Sequence, residues 1–340
     1  MIVASGLALL ATPALAEPKW ALVIHGGAGV IERKDLTPET EAAYRAAMAK
    51  AAATGSAVLD KGGSAMDAIE AVIRDLEDDP LFNAGRGAVF TAEGRNELDA
   101  AVMDGKSLMA GSVAGVTRTR HPISLARAVM EKSRHVMMIG AGADAFAASV
   151  GLEQVDPSYF FTERRWQGLV KELANQGLPV PVRPAGAPPP QAFQPIPDDR
   201  KFGTVGVAAL DSAGNVAAGT STGGMTAKRW GRVGDAPIIG AGTYASNQSC
   251  AVSATGSGEY FIRLTVAREI CALVQYKGMT LQRAADEVIQ ARLTALGGDG
   301  GVVALTPDGQ MAWSFNTSGM YRARAAEGQP TVVSIYKDEQ

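Results

Sequence analysis

The sequence predicts a layered α/β protein in which β-sheets are covered by helices. Strand-like and helix-like patterns occur in both halves of the chain, without the strict alternation of a doubly wound parallel sheet. The length of 340 residues suits two modest domains or one large unit with a single core. The 39 glycines are clustered, which predicts tight turns and backbone-lined pockets and excludes a collagen repeat.

The charge balance argues against a polyanionic partner. Lys and Arg number 32 against 35 Asp and Glu, for a formal net charge of −3, and the chain contains no Lys/Arg run. A nucleic-acid-binding protein normally carries a basic stripe or patch. We therefore expect no nucleic-acid partner.

Residues 1–16 carry no charged side chain and form a short apolar run that ends in Ala14-Leu15-Ala16. This small-x-small ending is typical of a signal-peptidase site, and the run is too short for a helix that crosses a bilayer. The pattern predicts a signal peptide and a periplasmic or secreted mature chain without a membrane anchor. The alternative is a buried first strand or an irregular terminus, in a cytoplasmic protein.

The next segment, residues 17–177, alternates strands and helices. A strand over 20–24 leads into a glycine turn over 25–29. Helical periodicity follows over 37–60 and 64–77, and the second helix places its apolar residues on one side. The remaining predicted elements are a strand over 98–103 and helices over 123–132, 142–149 and 158–175.

A proline-rich segment, residues 178–203, interrupts this pattern. Eight of the 17 prolines of the chain lie between 179 and 197, so no compact element fits there and we predict a linker. After it, residues 204–340 begin with two strands, 204–211 and 215–222, joined by a hairpin turn at 212–214. The predicted elements that follow are helices over 259–276 and 281–296 and strands over 302–305, 311–315 and 331–336.

Cys250 and Cys271, the two cysteines, have no CxxC or histidine neighbour at metal-ligand spacing. We expect small buried residues, one in a strand and one in a helix. An exported chain would also allow them to form a disulfide, and the sequence leaves that pairing open.

A serine-hydrolase interpretation fails on residue order. Residues 219–223 match G-x-S-x-G with Ser221 as nucleophile, but the histidine of that triad must follow the serine. The three histidines of the chain, His25, His121 and His135, all precede Ser221. The signatures of a dinucleotide fold, a P-loop and a zinc protease are also absent from the sequence.

Thr204 is the strongest candidate nucleophile. It follows the linker and Gly203 and opens a predicted strand, although a threonine there is often no more than a β-former. If the bond between Gly203 and Thr204 is cut, Thr204 gains an α-amine with a reference pKa of about 7.7–8.0. That amine can take the proton of its own hydroxyl, so one residue supplies nucleophile and base without a histidine.

The sequence resembles the plant-type asparaginase/isoaspartyl peptidase family of N-terminal nucleophile hydrolases over residues 19–337. The matching blocks are HGGAG (25–29), FNAGRGAVFTAEG (82–94), GTVG (203–206), TSTGGMTAKRWGRVGDAPIIGAG (220–242), ATGSGE (254–259), LGGDGG (296–301) and FNTSGMYRA (315–323). The resemblance implies a four-layer αββα sandwich, autocatalytic cleavage between Gly203 and Thr204, and an (αβ)2 heterotetramer. Residues 17–177 and 204–340 are then the α-chain and β-chain parts of one domain.

The resemblance also assigns catalytic roles. Thr204 corresponds to the nucleophile, and Thr222 to the threonine that positions its amine and hydroxyl. Thr255 and Gly256 correspond to an oxyanion hole, in which a hydroxyl and a backbone N–H meet the developing negative charge. Asn83 corresponds to an asparagine near the reacting centre.

Substrate binding is assigned in the same way to Arg232, Asp235 and Gly258, with Thr255 and Gly256 also in contact with the substrate. A guanidinium fork suits the α-carboxylate of the substrate, and a carboxylate three residues away suits its α-ammonium. The family has no catalytic cofactor. It has a structural Na⁺ held by backbone carbonyls, whose counterparts here are Leu76, Glu77, Asp79, Phe82, Ala84 and Arg86.

The resulting hypothesis is an autoprocessing threonine hydrolase that cleaves β-aspartyl dipeptides and hydrolyses L-asparagine to aspartate and ammonia. One alternative is a glycosylasparaginase, but the nucleophile of that enzyme usually follows Asp rather than Gly. The other is a non-catalytic amino-acid-binding protein that uses Arg232 and Asp235 and remains uncut.

Overall fold

Twelve strands form within residues 19–189 and 203–339, the parts of the chain that the structure, a computed structural model, describes. The predicted signal peptide and residues 190–202 of the predicted linker lie outside those ranges. The strands are β1 (Ala21–Gly29), β2 (Leu98–Asp104), β3 (Ala110–Val116), β4 (Met137–Ile139), β5 (Val205–Leu210), β6 (Val216–Thr222), β7 (Thr243–Ala245), β8 (Ala251–Gly256), β9 (Gly300–Leu305), β10 (Met311–Phe315), β11 (Gly319–Ala326) and β12 (Val332–Tyr336).

The first two α-helices of the same ranges begin at residues whose side chains accept hydrogen bonds from their free N–H groups. The Thr37 side chain accepts from the Thr40 N–H at the start of the first helix, and Ser64 and Asp67 form a capping box at the start of the second. The helices are α1 (Pro38–Asp60), α2 (Ala65–Asp78), α3 (Pro122–Lys132), α4 (Gly140–Ser149), α5 (Glu163–Asn175), α6 (Gly258–Leu264), α7 (Val266–Lys277), α8 (Leu281–Asp286) and α9 (Thr294–Leu296), with a π-helical segment (Glu287–Leu293) that joins α8 to α9.

Two sheets face each other, and helices cover both outer faces. The larger sheet has the strand order β12-β11-β1-β5-β6-β2-β3-β4, and the smaller has β10-β9-β8-β7. Helices α1, α2 and α3 pack on the larger sheet, while α7 and α8 pack on the smaller one. The predicted αββα sandwich is confirmed.

The central strands have long apolar segments because both of their faces are buried. Along β1, Leu22 and Ile24 join the core beneath α1 and α2, whereas Ala21 and Val23 join the core between the two sheets. Successive side chains of a strand point to opposite faces, so each of these strands contributes to two cores.

The predicted hairpin is confirmed, and it places the candidate nucleophile. Strands β5 and β6 pair antiparallel with Val205 opposite Ser221. This register brings Thr204, which precedes β5, beside Thr222 at the end of β6. The two threonines are 18 positions apart in the chain but adjacent in space because a tight hairpin joins their strands.

Some elements differ from the sequence prediction. The glycine segment 25–29 is part of β1 rather than a turn, because β11 pairs with β1 along its whole length across a bulge between His25 and Gly27. No bounds were predicted for strands β3, β4, β7, β8 and β11. The predicted helix 259–276 breaks at Thr265, whose φ is 46°, and the predicted helix 158–175 divides into a 3-10 turn (Pro157–Phe160) and α5.

Cys250 and Cys271 are both buried and form a disulfide that joins the chain just before β8 to α7. The described part of the linker, residues 178–189, contains no helix or strand, as expected. Among the residues that the structure describes, no helix combines the length and the apolar character that a membrane span requires.

Candidate active site

Two threonine hydroxyls meet at the start of β5. The Oγ1 atoms of Thr204 and Thr222 are 2.9 Å apart, and the Gly224 N–H donates to Thr222 Oγ1 over 3.0 Å. Thr222 is buried and Thr204 is half-buried. These contacts hold the Thr204 hydroxyl in one orientation, where β5 begins and β6 ends in the middle of the large sheet.

The Gly203 carbonyl group, which precedes Thr204, is also fixed by a hydrogen bond. The Asn83 N–H donates to the Gly203 carbonyl oxygen over 2.9 Å. The Asn83 side chain is itself fixed, because its Nδ2 donates to the Gly224 carbonyl and its Oδ1 accepts from the Val89 N–H. A Cβ at position 203 would lie 2.6 Å from Asn83 Cβ, so only glycine fits this approach. The described chain thus presents the Gly203 carbonyl to a backbone donor, as an oxyanion hole does.

His25 supports the backbone of Thr204. Its Nδ1 lies 3.0 Å from the Thr204 carbonyl oxygen and its Nε2 lies 2.9 Å from Ser253 Oγ. Complete burial lowers the pKa of His25 to about 3, so the imidazole is neutral. A carbonyl only accepts, so Nδ1 carries the proton and Nε2 accepts from the Ser253 hydroxyl. Ser253 in turn contacts Thr220, which contacts Thr243, each over 2.7 Å.

Sequence reasoning set His25 aside with the rejected esterase triad. Its position at the start of the HGGAG block was the signal that could have identified it. Its contact with Thr204 depends on the pairing of β1 with β5, in which His25 lies opposite Gly206.

Thr255 and Gly256 lie at the end of β8 in the smaller sheet. Thr255 is completely buried, and its Oγ1 lies 3.5 Å from the Ala28 nitrogen. Ser253, two residues earlier on the same face of β8, lies so close to β5 that a Cβ at Gly206 would be 1.9 Å from Ser253 Oγ. The two sheets therefore approach closely beside the start of β5, and Thr255 faces that junction.

The Arg232 guanidinium and the Asp235 carboxyl lie on the loop that follows β6. Arg232 Nε and Nη2 each donate to a carboxylate oxygen of Glu259 over 2.9 Å. Asp235 is 7% exposed, and burial raises its pKa to about 7 although the Arg232 charge opposes that rise. Its Oδ2 has no hydrogen-bond partner among the described residues. A buried, unpaired carboxylate oxygen beside a guanidinium is suited to receive a ligand's ammonium group.

Gly258 keeps this pair open. A Cβ at position 258 would lie 2.9 Å from Arg232 Nη2 and 3.0 Å from Asp235 Oδ1. Any larger residue would occupy the space between the guanidinium and the carboxyl. Glu259, which sequence reasoning did not select, already neutralises Arg232 in the structure.

One cavity joins these two groups of residues. Its volume is about 580 Å³, and its lining includes Asn83 and Gly203 of the cleavage centre together with the paired Arg232 and Glu259. The cavity can therefore place a ligand held by Arg232 against the cleavage centre.

Ser221 is next to Thr222 in the chain, but it does not line this cavity. It is completely buried, and its hydroxyl donates to Glu77 Oε1 over 2.6 Å. Burial raises the pKa of Glu77. This geometry agrees with the sequence argument that excluded Ser221 as a nucleophile.

The end of α2 leaves carbonyl groups without helical partners. Pro80 has no N–H to give to the Leu76 carbonyl four residues earlier, and the Leu81 N–H donates to the Asp79 carboxylate instead of the Glu77 carbonyl. Among the described residues there is no cluster of three or more His, Cys, Asp or Glu side chains suited to a metal. Backbone carbonyls are therefore the donors to consider here, and they suit a hard cation.

Glycines bring further carbonyls into the same loop. A Cβ at Gly85 would lie 2.3 Å from the Glu77 carbonyl oxygen, and one at Gly87 would lie 1.9 Å from that of Phe82. The carbonyl oxygens of Glu77 and Phe82 therefore lie against glycines in this loop, and backbone oxygens are donors that suit a hard cation.

Comparisons with known proteins identify one family along nearly the whole chain. The family model for asparaginase matches residues 18–335. The chain is 47% identical over 321 residues to an isoaspartyl peptidase of Escherichia coli, which covers 94% of this chain and 97% of that protein. It is 40% identical over 309 residues to a plant-type L-asparaginase of Pyrococcus furiosus (91% and 97%) and 39% identical over 324 residues to an isoaspartyl peptidase/L-asparaginase of Xenopus laevis (94% and 96%).

Proposed function

This chain belongs to the asparaginase family, and on that premise we propose that it is an isoaspartyl peptidase and L-asparaginase whose nucleophile is Thr204. The observation that carries the proposal is the pair of hydroxyls at Thr204 and Thr222 beside a Gly203 carbonyl that accepts from the Asn83 N–H. The same hydroxyl acts twice, first on its own chain and then on substrate.

In the first reaction, Thr204 Oγ1 attacks the Gly203 carbonyl carbon. The Asn83 N–H stabilises the negative charge that develops on the carbonyl oxygen, and the Thr222 hydroxyl orients the attacking oxygen. The bond between Gly203 and the Thr204 nitrogen breaks, and that nitrogen takes up the proton. Water then hydrolyses the ester, which leaves a carboxylate on Gly203 and a free amine on Thr204.

In the second reaction, the free amine of Thr204 takes the proton of its hydroxyl, which attacks the side-chain carbonyl of a bound β-aspartyl group. The leaving amine or ammonia takes up the proton, and water releases aspartate from the acyl-enzyme. Thr255 and Gly256, at the junction of the sheets, are the proposed oxyanion donors.

Substrate is anchored by the loop that follows β6. Arg232 binds the α-carboxylate in exchange for Glu259, and Asp235 binds the α-ammonium through its unpaired oxygen. Gly258 leaves room for the aspartyl group between them. Because the anchor binds both the α-carboxylate and the α-ammonium, it would select an aspartyl group in which both are free.

The test is hydrolysis of β-Asp-Leu, L-asparagine and a glycosyl-asparagine by the purified protein, with Thr204→Ala and Thr204→Ser variants in parallel. We expect turnover of the first two substrates, loss of activity in Thr204→Ala, and partial activity in Thr204→Ser, which keeps a hydroxyl. A faster reaction with the glycosyl-asparagine would favour glycosylasparaginase. Stoichiometric aspartate binding by an uncut, inactive chain would favour a binding protein.

We also propose a structural Na⁺ in the loop after α2. The carbonyls of Leu76, Glu77, Asp79, Phe82, Ala84 and Arg86 would hold it, and the close approach of the Glu77 and Phe82 carbonyls to Gly85 and Gly87 supports this proposal. When bound, the ion would only neutralise the dipoles of these carbonyls. The expected result is a higher melting temperature in sodium chloride than in choline chloride of equal ionic strength; equal values would contradict it.

We propose an assembly of two αβ units into an (αβ)2 heterotetramer. Exposed apolar side chains at the β4 edge of the large sheet support it, since such an edge is usually covered. They are Leu108, Met109, Val136, Met137 and Ile139. Light scattering is expected to give twice the mass of one αβ unit, and Ile139→Glu to weaken the assembly; a single αβ unit at micromolar concentration would contradict it.

We propose export to the periplasm or the exterior. The uncharged leader supports this proposal, and so does the disulfide between Cys250 and Cys271, since disulfides persist in oxidising compartments. After expression of the full chain, we expect an α-chain that begins at Glu17 in the periplasmic fraction. Retention of residues 1–16 on active cytoplasmic protein would contradict export.

A further inference from the structure

The outer end of the cavity is formed by residues that the proposed mechanism does not use. Met225, Arg229 and Trp230 line it from the loop between β6 and Arg232, and Gln176 lines it from the end of α5. Trp230 is 90% exposed and its φ of 57° lies in the left-handed region, which bulky residues rarely adopt. Strained backbone of this kind is concentrated at ligand-binding sites.

Arg229 is oriented at this end by a chain of side-chain contacts. Its guanidinium carbon lies 4.9 Å from the centroid of the Trp230 ring, and its Nη2 donates to Gln176 Oε1 over 3.2 Å. Gln176 Nε2 in turn donates to Glu172 Oε1 over 2.8 Å. Glu172, which also lines the cavity, thus accepts a hydrogen bond from Gln176. A guanidinium has five N–H donors, and its described hydrogen bonds here use one of them.

We propose that Arg229 and Trp230 form the subsite for the leaving residue of a β-aspartyl dipeptide. Arg229 binds the free α-carboxylate of that residue, and Trp230, with the exposed Met225, packs against its side chain. The inference rests on the proposed function and adds to it a substrate class: dipeptides that end in a large apolar or aromatic residue with an unblocked carboxylate.

The chemistry of the two substrates makes this assignment specific. Ammonia, the leaving group of L-asparagine, has neither a carboxylate nor a side chain and does not reach the outer end of the cavity. A dipeptide has both a carboxylate and a side chain on its leaving residue, and Gly203, Arg232 and Trp230 all line the same cavity of about 580 Å³. Planar guanidinium groups bind carboxylates in bidentate fashion, and indole rings offer a rigid apolar face.

The test compares Arg229→Gln with wild type on β-Asp-Leu, β-Asp-Leu amide and L-asparagine. We expect kcat/KM for β-Asp-Leu to fall about tenfold, mainly through KM, because a charge-assisted contact is lost. Rates with the amide and with L-asparagine should change less than about twofold. In Trp230→Ala, kcat/KM for β-Asp-Phe should fall about fivefold more than that for β-Asp-Gly.

Arg263→Gln is the matched control, since Arg263 is an exposed arginine that lies over Tyr260, 5.6 Å from the ring centroid, and does not line the cavity. It should leave all substrates unchanged. Equal losses on β-Asp-Leu, its amide and L-asparagine in Arg229→Gln would overturn the subsite, as would no loss at all. Failure of the proposed function itself is distinct, because wild-type protein would then hydrolyse none of these substrates.

Discussion

The cleavage centre and the substrate anchor differ in how fully their polar groups are satisfied. At the cleavage centre, the Thr204 hydroxyl, the Gly203 carbonyl and the Asn83 amide all have partners within about 3 Å. At the anchor, Arg232 is paired with Glu259, and Asp235 retains a buried carboxylate oxygen without a partner among the described residues.

This difference separates what the chain can do alone from what requires a ligand. The cleavage centre holds both reactants of an intramolecular reaction, so proximity and orientation are already provided. The anchor carries an electrostatic cost, expressed in the raised pKa of Asp235, that an incoming ammonium would relieve. Stability and function should therefore oppose each other at the anchor.

The largest expected effect is at the cleavage centre. Thr204→Ala removes the only proposed nucleophile, so we expect both an uncut chain and a loss of turnover of at least about 10⁴-fold. Denaturing electrophoresis and an L-asparagine assay measure the two effects. Thr204→Ser should restore cleavage, whereas normal cleavage in Thr204→Ala would refute the assignment.

Asp235→Asn tests whether stability and substrate binding oppose each other at the anchor. We expect kcat/KM to fall by about 100-fold or more, because the substrate ammonium loses a charged partner. We also expect a higher melting temperature at pH 8, since the substitution removes a carboxylate whose ionisation burial disfavours.

Asp156→Asn is the control, because the pKa of Asp156 is lowered by hydrogen bonds from Ser158, whereas that of Asp235 is raised. It should leave activity intact without raising the melting temperature. A less stable Asp235→Asn would show that the anchor is not held at an electrostatic cost.

The pH dependence of binding follows from the same group. Below its pKa of about 7, Asp235 is protonated and cannot pair with the ammonium of the substrate. The KM for L-asparagine should therefore rise about tenfold for each pH unit below 7. Because the folded-state pKa is raised, the contribution of Asp235 to stability is complete at low pH and is lost as the pH rises through 7. A KM that is constant between pH 5 and 8 would contradict the assignment.

The smallest expected effect is at Glu259. This carboxylate competes with the α-carboxylate of the substrate for Arg232, and its side chain is 52% exposed. Glu259→Gln should lower the KM for L-asparagine about twofold, as expected for a partly exposed ion pair. Glu287→Gln, which removes a similar pair with Arg292 away from the cavity, should leave KM unchanged. A rise in KM in Glu259→Gln would mean that Glu259 orients Arg232 rather than competes for it.

The sequence predicted the parts of the fold that local patterns encode. The hairpin of β5 and β6 and the helices α1 and α2 have clear periodicity and end signals, and the structure confirms them. Strand β11 was not predicted because arginines are not typical of a buried strand. Arg322 is nevertheless completely buried, with its guanidinium close to the rings of Trp313 and Phe315. That burial depends on tertiary contacts that no local pattern reveals.

Dependence on tertiary contacts also limits what the sequence can predict about the active site. Thr204 was identified from its local setting after a linker and a glycine. His25 and Glu259 became candidates only once the strand pairing and the loop after β6 placed them beside Thr204 and Arg232. The place of His25 at the start of the HGGAG block was a local signal, but that block does not reveal its contact with Thr204. Glu259 has no local signal that distinguishes it from a solvated surface acid.

The most direct test of the central claim is the N-terminal sequence of the chains in freshly purified, active protein, supported by intact mass under denaturing conditions. The account predicts a second chain that begins with Thr204, and its absence from Thr204→Ala. Active protein that is a single chain, or that is cut elsewhere than between Gly203 and Thr204, would contradict it.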